Sequence, residues 1–300
     1  MKRRHILTTF PALLAACLPA FAQEAQKLQE AKNEQSPQKE NAAMKHPATV
    51  PQKATIFITG STDGLGHAAA KMLLEQGHRV IVHARSGERF DALEDLSAMG
   101  AIKTVGDLAE IVDVQNLARQ VNTIGTMDAI IHNAGVYRGD KVMLVNTVAP
   151  YLLTAWIRRP KRLIYISSGM HRSGNPENLK FPAGSYSDSK LFITTIMAAT
   201  ARLWPEVACH AVDPGWVPTK MGGANAPDDL RLGHLTQEWL ATSNDAQVLQ
   251  SGGYWHHQQR QEPHQAVGNV EFQNKLIDAL TAYTNVDLRD PKAGVNLLGR

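Results

Sequence analysis

From Lys53 onward the chain alternates between short aliphatic runs and longer stretches in which apolar residues recur at helical spacing. The short runs are ATIFIT (54–59), RVIVHA (79–84), AIKTVGD (101–107), MDAIIHN (127–133), KRLIYIS (161–167) and VACHAVD (207–213). Each is too short for a helix and nearly continuous in its apolar residues, as strands are when both faces of their sheet are covered. Between them lie helical stretches such as GLGHAAAKMLLEQG and RFDALEDLSAM. This alternation predicts a single-domain α/β fold, a doubly wound parallel sheet with helices on both faces. SGGYW (251–255) reads as a last strand and VEFQNKLIDALTAY as a closing helix. The stretch from Met221 to Arg260 is less legible: Met221, Leu230, Leu232, Leu235, Trp239 and Leu240 fit an apolar lid over a site and ordinary core packing equally well.

The first 52 residues break this pattern. Lys2, Arg3 and Arg4 precede a mostly apolar run to Phe21, and Ala20-Phe21-Ala22 has the small-x-small form of a signal-peptidase site, so residues 1–22 read as a secretory signal. Thr8, Thr9, Pro11 and Pro19 interrupt the run and argue against a permanent membrane span, so none is expected once the signal is cleaved. Arg3-Arg4-His5-Ile6-Leu7 fits a twin-arginine signal. Leu14-Ala15-Ala16-Cys17 offers the alternative of a lipobox, which would leave Cys17 lipidated. Residues 23–52, rich in Gln, Glu, Lys and Ala, lack the apolar surface to offset chain entropy and read as a disordered linker. The folded domain is expected over 53–286, with a tail over 287–300.

Bulk properties narrow the function. A net charge of +3 over 300 residues, with no basic stripe, gives no footprint for nucleic acid. Two cysteines, Cys17 and Cys209, build neither a disulfide framework nor a zinc site. Twelve histidines cluster only at His256, His257 and His264, without acidic or cysteine partners at ligand spacing, so no metal is expected.

Ligands of such sheets bind beyond the carboxyl ends of the strands, which makes the residues there informative. After the first strand, Thr59-Gly60-Ser61-Thr62-Asp63-Gly64-Leu65-Gly66 runs straight into a helix. Its glycines allow a tight turn and close approach of a pyrophosphate, which the helix N-terminus attracts. The second strand ends at Arg85 with no nearby acid to hold ribose hydroxyls; an arginine there suits a 2′-phosphate, favouring NADP over NAD. Asp107 and Leu108 follow the third strand, where Asp107 would face the adenine edge. Asn133, Ala134 and Gly135 end the fourth with small side chains that let backbone lie against the cofactor. Ser167-Ser168-Gly169 closes the fifth, and Tyr186 and Lys190, four apart, share one helix face beyond it.

In this order TGSTDGLG, HNAG, SSG, YSDSK and DPGWVPT resemble the short-chain dehydrogenase/reductase family over nearly all of residues 53–220, on a Rossmann-like sheet. SSGMHRSG, SGGYW and the long Ser-to-Tyr interval look most like its retinol-dehydrogenase-like branch. The resemblance implies that Tyr186 is the proton donor or base and that Ser168 binds the substrate oxygen, with Ser167 as a structural neighbour unless the two are swapped. Lys190 would support Tyr186 and hold the nicotinamide ribose, which Tyr186 also lines. Asn146 would hold a water that relays protons from the lysine. Pro214, Gly215, Val217 and Thr219 would wall the nicotinamide. A free phenol titrates at about pH 10, so acting as a base at neutral pH asks for roughly 4 kcal/mol, part of it from Lys190.

Two departures stand out. The intervals on either side of Asn146 are short, where the family often builds a dimerising helix pair, which leaves monomer and dimer open. His132 replaces a more frequent asparagine and is expected to be tolerated. The implied function is an NADP-dependent oxidoreductase acting on a small or hydrophobic carbonyl or alcohol; the alternative is a non-catalytic NADP-binding sensor or scaffold. An epimerase or dehydratase would have a different glycine spacing. Free NADP is not expected outside the cytoplasm, so export of a cofactor-loaded enzyme to the periplasm fits the twin-arginine route, which carries folded proteins.

Overall fold

The computed structural model describes residues 53–290. The signal, the linker and the last ten residues of the expected tail lie outside the described residues. Eight strands form one sheet: β1 (Thr55–Ile58), β2 (Arg79–Ala84), β3 (Ile102–Val105), β4 (Ala129–His132), β5 (Arg162–Ile166), β6 (Ala208–Asp213), β7 (Gly253–His256) and β8 (Gln259–Gln261). Their order is β3-β2-β1-β4-β5-β6-β7-β8, and every pairing is parallel except the antiparallel β7–β8 pair. The chain therefore reverses its direction of travel across the sheet between β1 and β4, which opens a crevice at the strand ends.

Alternation along each strand divides the core. Phe57, Ile81, Ile130, Leu163 and Tyr165 face one side, together with α3 (Ile111–Ile124), α4 (Ala149–Trp156), α5 (Tyr186–Leu203) and α8 (Val270–Thr284). Ile56, Ile58, Val80, Val82, Ile131 and Ile164 face the other, with α1 (Gly64–Glu75), α2 (Glu94–Ala98), α6 (Leu230–Thr242) and α7 (Ala246–Leu249). The six expected strands and the later seventh all form; β2 has the expected bounds, β7 runs one residue further to His256, and the others are shorter at their ends.

Two features differ from expectation, and one reading left open is resolved. RFDALEDLSAM forms a 3-10 helix (Gly87–Leu93) followed by the five-residue α2. Of the two readings open for residues 221–260, α6 follows core packing, with Gly233, Thr236, Gln237, Leu240 and Ala241 buried against α1 and β4 to β6, while Leu232 is exposed and Met221 lies on the cavity wall. The folded body also continues past residue 286, because Leu288 is buried and its N–H donates to the Tyr151 hydroxyl at 3.2 Å. That hydroxyl donates in turn to the Val286 carbonyl at 2.7 Å.

Among the described residues no helix is long and apolar enough to cross a membrane. None of their His, Cys, Asp and Glu side chains form a group that could hold a metal.

Candidate active site

The floor of the site is made by the turns after β1, β2 and β4. Gly60 has φ +69°, and a Cβ there would lie 2.8 Å from the Ala134 Cα, so only glycine lets the first turn approach the fourth this closely. Thr59 ties them together: its hydroxyl accepts from the N–H groups of Asn133 and Ala134, both at 3.0 Å. The Asn133 amide donates back to the Thr59 and Gly60 carbonyls at 2.9 and 3.1 Å. Gly66 does not line the cavity as expected. It lies beneath, where a Cβ would meet the Asn133 amide nitrogen at 2.3 Å and the Gly60 oxygen at 2.4 Å, so its role is close packing.

His83, which the sequence reading passed over, stitches these turns. Its Nδ1 accepts from the Gly60 N–H at 3.1 Å, which leaves Nε2 to donate to the Gly106 carbonyl at 2.8 Å. Burial lowers its pKa to about 4, so the ring is neutral, as this pair of bonds requires. The available signal was a histidine inside the otherwise apolar run RVIVHA.

Asp63 precedes α1 but makes no capping bond with its side chain. Its carboxylate pairs instead with Arg89 at 3.2 Å and with Lys220, from beyond β6, at 2.9 Å. The first N–H groups of this twelve-residue helix therefore remain available to an anion at the cavity wall. Arg85 is exposed at the same rim and carries no ion pair among the described residues. Asp107 accepts from the Ala109 N–H at 2.9 Å and lies 3.6 Å from Lys141.

At the other end, the capping box of Ser185 and Asp188 starts α5 and fixes the phase that turns Tyr186 and Lys190 to the same side. Lys190 is buried; its ammonium donates to the Ile166 carbonyl at 2.7 Å and lies 5.5 Å from the centre of the Tyr186 ring. Burial lowers its pKa to about 8, opposed by the negative charge of Asp213. The Tyr186 phenol is pushed up to about 12, mainly by burial, with the Ser168 hydroxyl pulling the other way and Asp213 adding to the rise. Burial therefore holds the phenol in its neutral form in the cofactor-free protein.

The two serines separate clearly. Ser167 is buried and its hydroxyl is engaged by that of Thr194 at 2.6 Å. Ser168 faces Tyr186 as a hydrogen-bond partner of its phenol, and its oxygen accepts from the Met170 N–H at 3.2 Å. Asn146 also departs from expectation in that it does not line the cavity. It sits in a π-helical turn (Leu144–Val148) with its amide bonded both ways to the Val136 backbone, at 2.8 and 2.9 Å, and to the Ser189 hydroxyl at 3.0 Å. A Cβ on Gly135 would stand 3.5 Å from the Asn146 oxygen and 3.6 Å from the Lys190 nitrogen, so glycine keeps that space clear. His132 points away from the cavity, stacked on Tyr165 and bonded to Thr154 at 3.1 Å.

One cavity of about 960 Å³ joins the two ends and is lined by every expected site residue except Gly66 and Asn146. Thr219 and Val217 face it from the loop after β6, together with Pro214 and Gly215. The wall also includes residues to which the sequence assigned no site role, Tyr137, Met170, Asp213, Trp216, Met221 and His256. Asp213 and His256 end strands β6 and β7, Met170 lies in a 3-10 turn, and Tyr137, Trp216 and Met221 sit on loops; hydrophobic periodicity marks none of these positions as facing a ligand.

Residues 54–229 match the family model described as short chain dehydrogenase. An uncharacterized oxidoreductase of Emericella nidulans is 38% identical over 74% of this chain and 93% of its own length. A short-chain dehydrogenase of Gibberella zeae is 34% identical over 79% of this chain and all of its own. Among solved structures, a protein of Mycobacterium paratuberculosis superposes with a TM-score of 0.66 at 22% identity, covering 78% of this chain and 94% of that one. A short chain dehydrogenase of Shigella flexneri complexed with NADP superposes with a TM-score of 0.57 at 20% identity, covering 70% and 99%.

Proposed function

The chain belongs to the short-chain dehydrogenase/reductase family, and on that premise we propose that it is an NADP-dependent carbonyl reductase with Tyr186 as its proton donor. The observation that carries this reading is the convergence of the Tyr186 phenol, the Ser168 hydroxyl and the Lys190 ammonium on one cavity bounded by an uncapped helix N-terminus.

The residues present fit a nicotinamide dinucleotide. The free N–H groups at the start of α1 suit its pyrophosphate, Gly60 and Gly64 keep side chains out of that approach, and Gly135 leaves open the space before Lys190. Arg85, unpaired and exposed, suits a 2′-phosphate through charge-assisted hydrogen bonds, and a neighbour of the same fold is complexed with NADP. Pro214, Gly215, Val217 and Thr219 would flank the nicotinamide. When bound, the cofactor supplies the hydride.

The chain's own groups handle the oxygen and the proton. Ser168 donates to the substrate oxygen and stabilises charge that grows there as the carbonyl is reduced. Tyr186, held as the neutral phenol, gives that oxygen its proton. Lys190 places positive charge beside the phenolate left behind and is the acid from which it is reprotonated. Asn146 acts from across Gly135 by fixing the Val136 backbone that shapes this wall.

The test is turnover of aldehydes, ketones and quinones by the full chain with NADPH and with NADH. The proposal expects NADPH to be preferred by about tenfold or more, the worth of one charge-assisted bond. A clear preference for NADH overturns the assignment to Arg85. Binding of NADPH without turnover of any carbonyl identifies a sensor instead.

A further inference from the structure

The substrate end of the cavity carries two features that the proton and hydride steps do not use. The first is exposed aromatic surface. Trp216 is 60% exposed and Tyr137 40%, although both are large rings that a folded chain ordinarily covers. They line the cavity from the loops after β6 and β4, the strands on either side of β5, so they flank the Ser168 turn. The Trp216 indole N–H is already spent on the Gly222 carbonyl at 2.8 Å, which leaves the ring to offer only its apolar faces. Tyr137 packs edge-on against Tyr186 with ring centres 4.8 Å apart, which brings its surface beside the reacting oxygen.

The second feature is a carboxylate with acceptor capacity to spare. Asp213 ends β6 and lies against the turn after Ser168: a Cβ on Gly169 would stand 3.0 Å from its Oδ2. Its Oδ1 accepts from the Gly215 N–H at 3.1 Å. Among the described residues its one ion-pair candidate within 4 Å is His256, whose Nδ1 is 3.9 Å from Oδ2 and 3.2 Å from the Asp213 carbonyl; the Lys190 ammonium lies within electrostatic range and the Tyr254 hydroxyl is a further neighbour of the carboxylate. A carboxylate offers about four acceptor positions, so with the Gly215 N–H and the Tyr254 hydroxyl beside it this one still has acceptor capacity toward the cavity. Both Asp213 and His256 line the cavity.

We propose that the site selects an aromatic ring carbonyl that bears a hydroxyl or N–H donor, its ring lying against Trp216 and Tyr137 and its donor directed to Asp213. This inference rests on the carbonyl-reductase reading. A donor on the substrate satisfies the carboxylate that the protein leaves short, whereas a substrate with only acceptors there forces a desolvated carboxylate to face a lone pair.

The test compares 3- and 4-hydroxyacetophenone with their methoxy analogues, by calorimetric binding to the NADP-saturated full chain carrying Tyr186→Phe and by kcat/KM of the parent protein. The hydroxy compounds are expected to bind about tenfold tighter than the methoxy ones. Adding Asp213→Asn should bring that ratio close to one. Asp213→Ser, which keeps an acceptor for the Gly215 N–H, repeats the comparison if the asparagine variant does not fold. Trp216→Ala is expected to weaken all four ring ketones about equally and to leave a linear ketone of similar size unaffected. A ratio that survives at Asp213→Asn or Asp213→Ser, or no preference for the hydroxy compounds in the parent, overturns the inference. Ring ketones that bind with the expected ratio yet are not reduced leave the recognition intact and count against the reductase reading. Reduction of linear ketones with no ring preference does the reverse.

Discussion

Ser168 and Ser167 show how a single residue's role depends on which way its backbone turns. Both hydroxyls were candidates from the sequence, because adjacent residues at a strand end face opposite sides and spacing does not reveal which side is the cavity. Both line the cavity, but the Ser167 hydroxyl is taken up by Thr194, and on that ground we propose Ser168 as the residue that meets the substrate oxygen. Ser168→Ala is expected to lower kcat by roughly 10² while NADPH binding persists. Ser167→Ala is expected to cost stability instead, about 1 kcal/mol for the lost buried hydrogen bond. Tyr186 and Lys190 were legible as a pair, but the strength of the acid was not, since burial sets it. Lys190 is a buried cation whose pKa in the fold, about 8, lies below that of the unfolded chain. The fold therefore disfavours the charged form, a penalty present in full below pH 8 and lost as the pH rises toward that of a free lysine. Lys190→Met is accordingly expected to abolish turnover and yet raise the denaturation midpoint of the cofactor-free protein at pH 7. A lower midpoint would show that the bond to Ile166 outweighs the desolvation.

At the scale of elements, the strands and the glycine turn were readable because their pattern follows from burial on both faces and from positive φ. Strand β8 was not: Gln259–Gln261 is exposed throughout and pairs only with β7, so it carries no apolar signal. The α6 stretch was ambiguous for a related reason, since a helix covering a sheet and a helix covering a ligand need the same apolar stripe. Only its contacts with α1 and the sheet decide between them. Gly66 illustrates an element junction whose purpose lay in packing. Gly66→Ala drives a methyl group into the Gly60 carbonyl and the Asn133 amide, and is expected to cost roughly 1–3 kcal/mol of stability and to weaken NADPH binding. Unchanged affinity and melting would mean that α1 can move away from β4 without loss.

Across the described residues, five buried histidines tie stability to pH: His78, His83, His132, His171 and His210, each with its pKa lowered by burial. Burial pushes His83 and His210 down to about 4 and His132 to about 3, well below a free imidazole. The unfolded chain takes up these protons first as the pH falls, so their stabilising contribution is complete above about pH 6.5 and shrinks steadily below it. The denaturant midpoint is expected to fall markedly between pH 7.5 and pH 5 for the full chain; a flat profile would show that these imidazoles are accessible to protons. For the exported form we propose the twin-arginine route, in which Arg3→Lys with Arg4→Lys retains the protein inside the cell; continued export contradicts it. Folded export and buried chemistry share one premise, a domain that binds NADP and reduces a carbonyl through Tyr186. The most direct measurement is NADPH-dependent reduction of a ring ketone by the full chain and by Tyr186→Phe, with NADPH affinity measured on both. The account predicts equal affinity and a loss of kcat of roughly 10³ or more in the variant, the worth of a positioned acid together with its place beside Lys190. Turnover by Tyr186→Phe at the parent rate would contradict it.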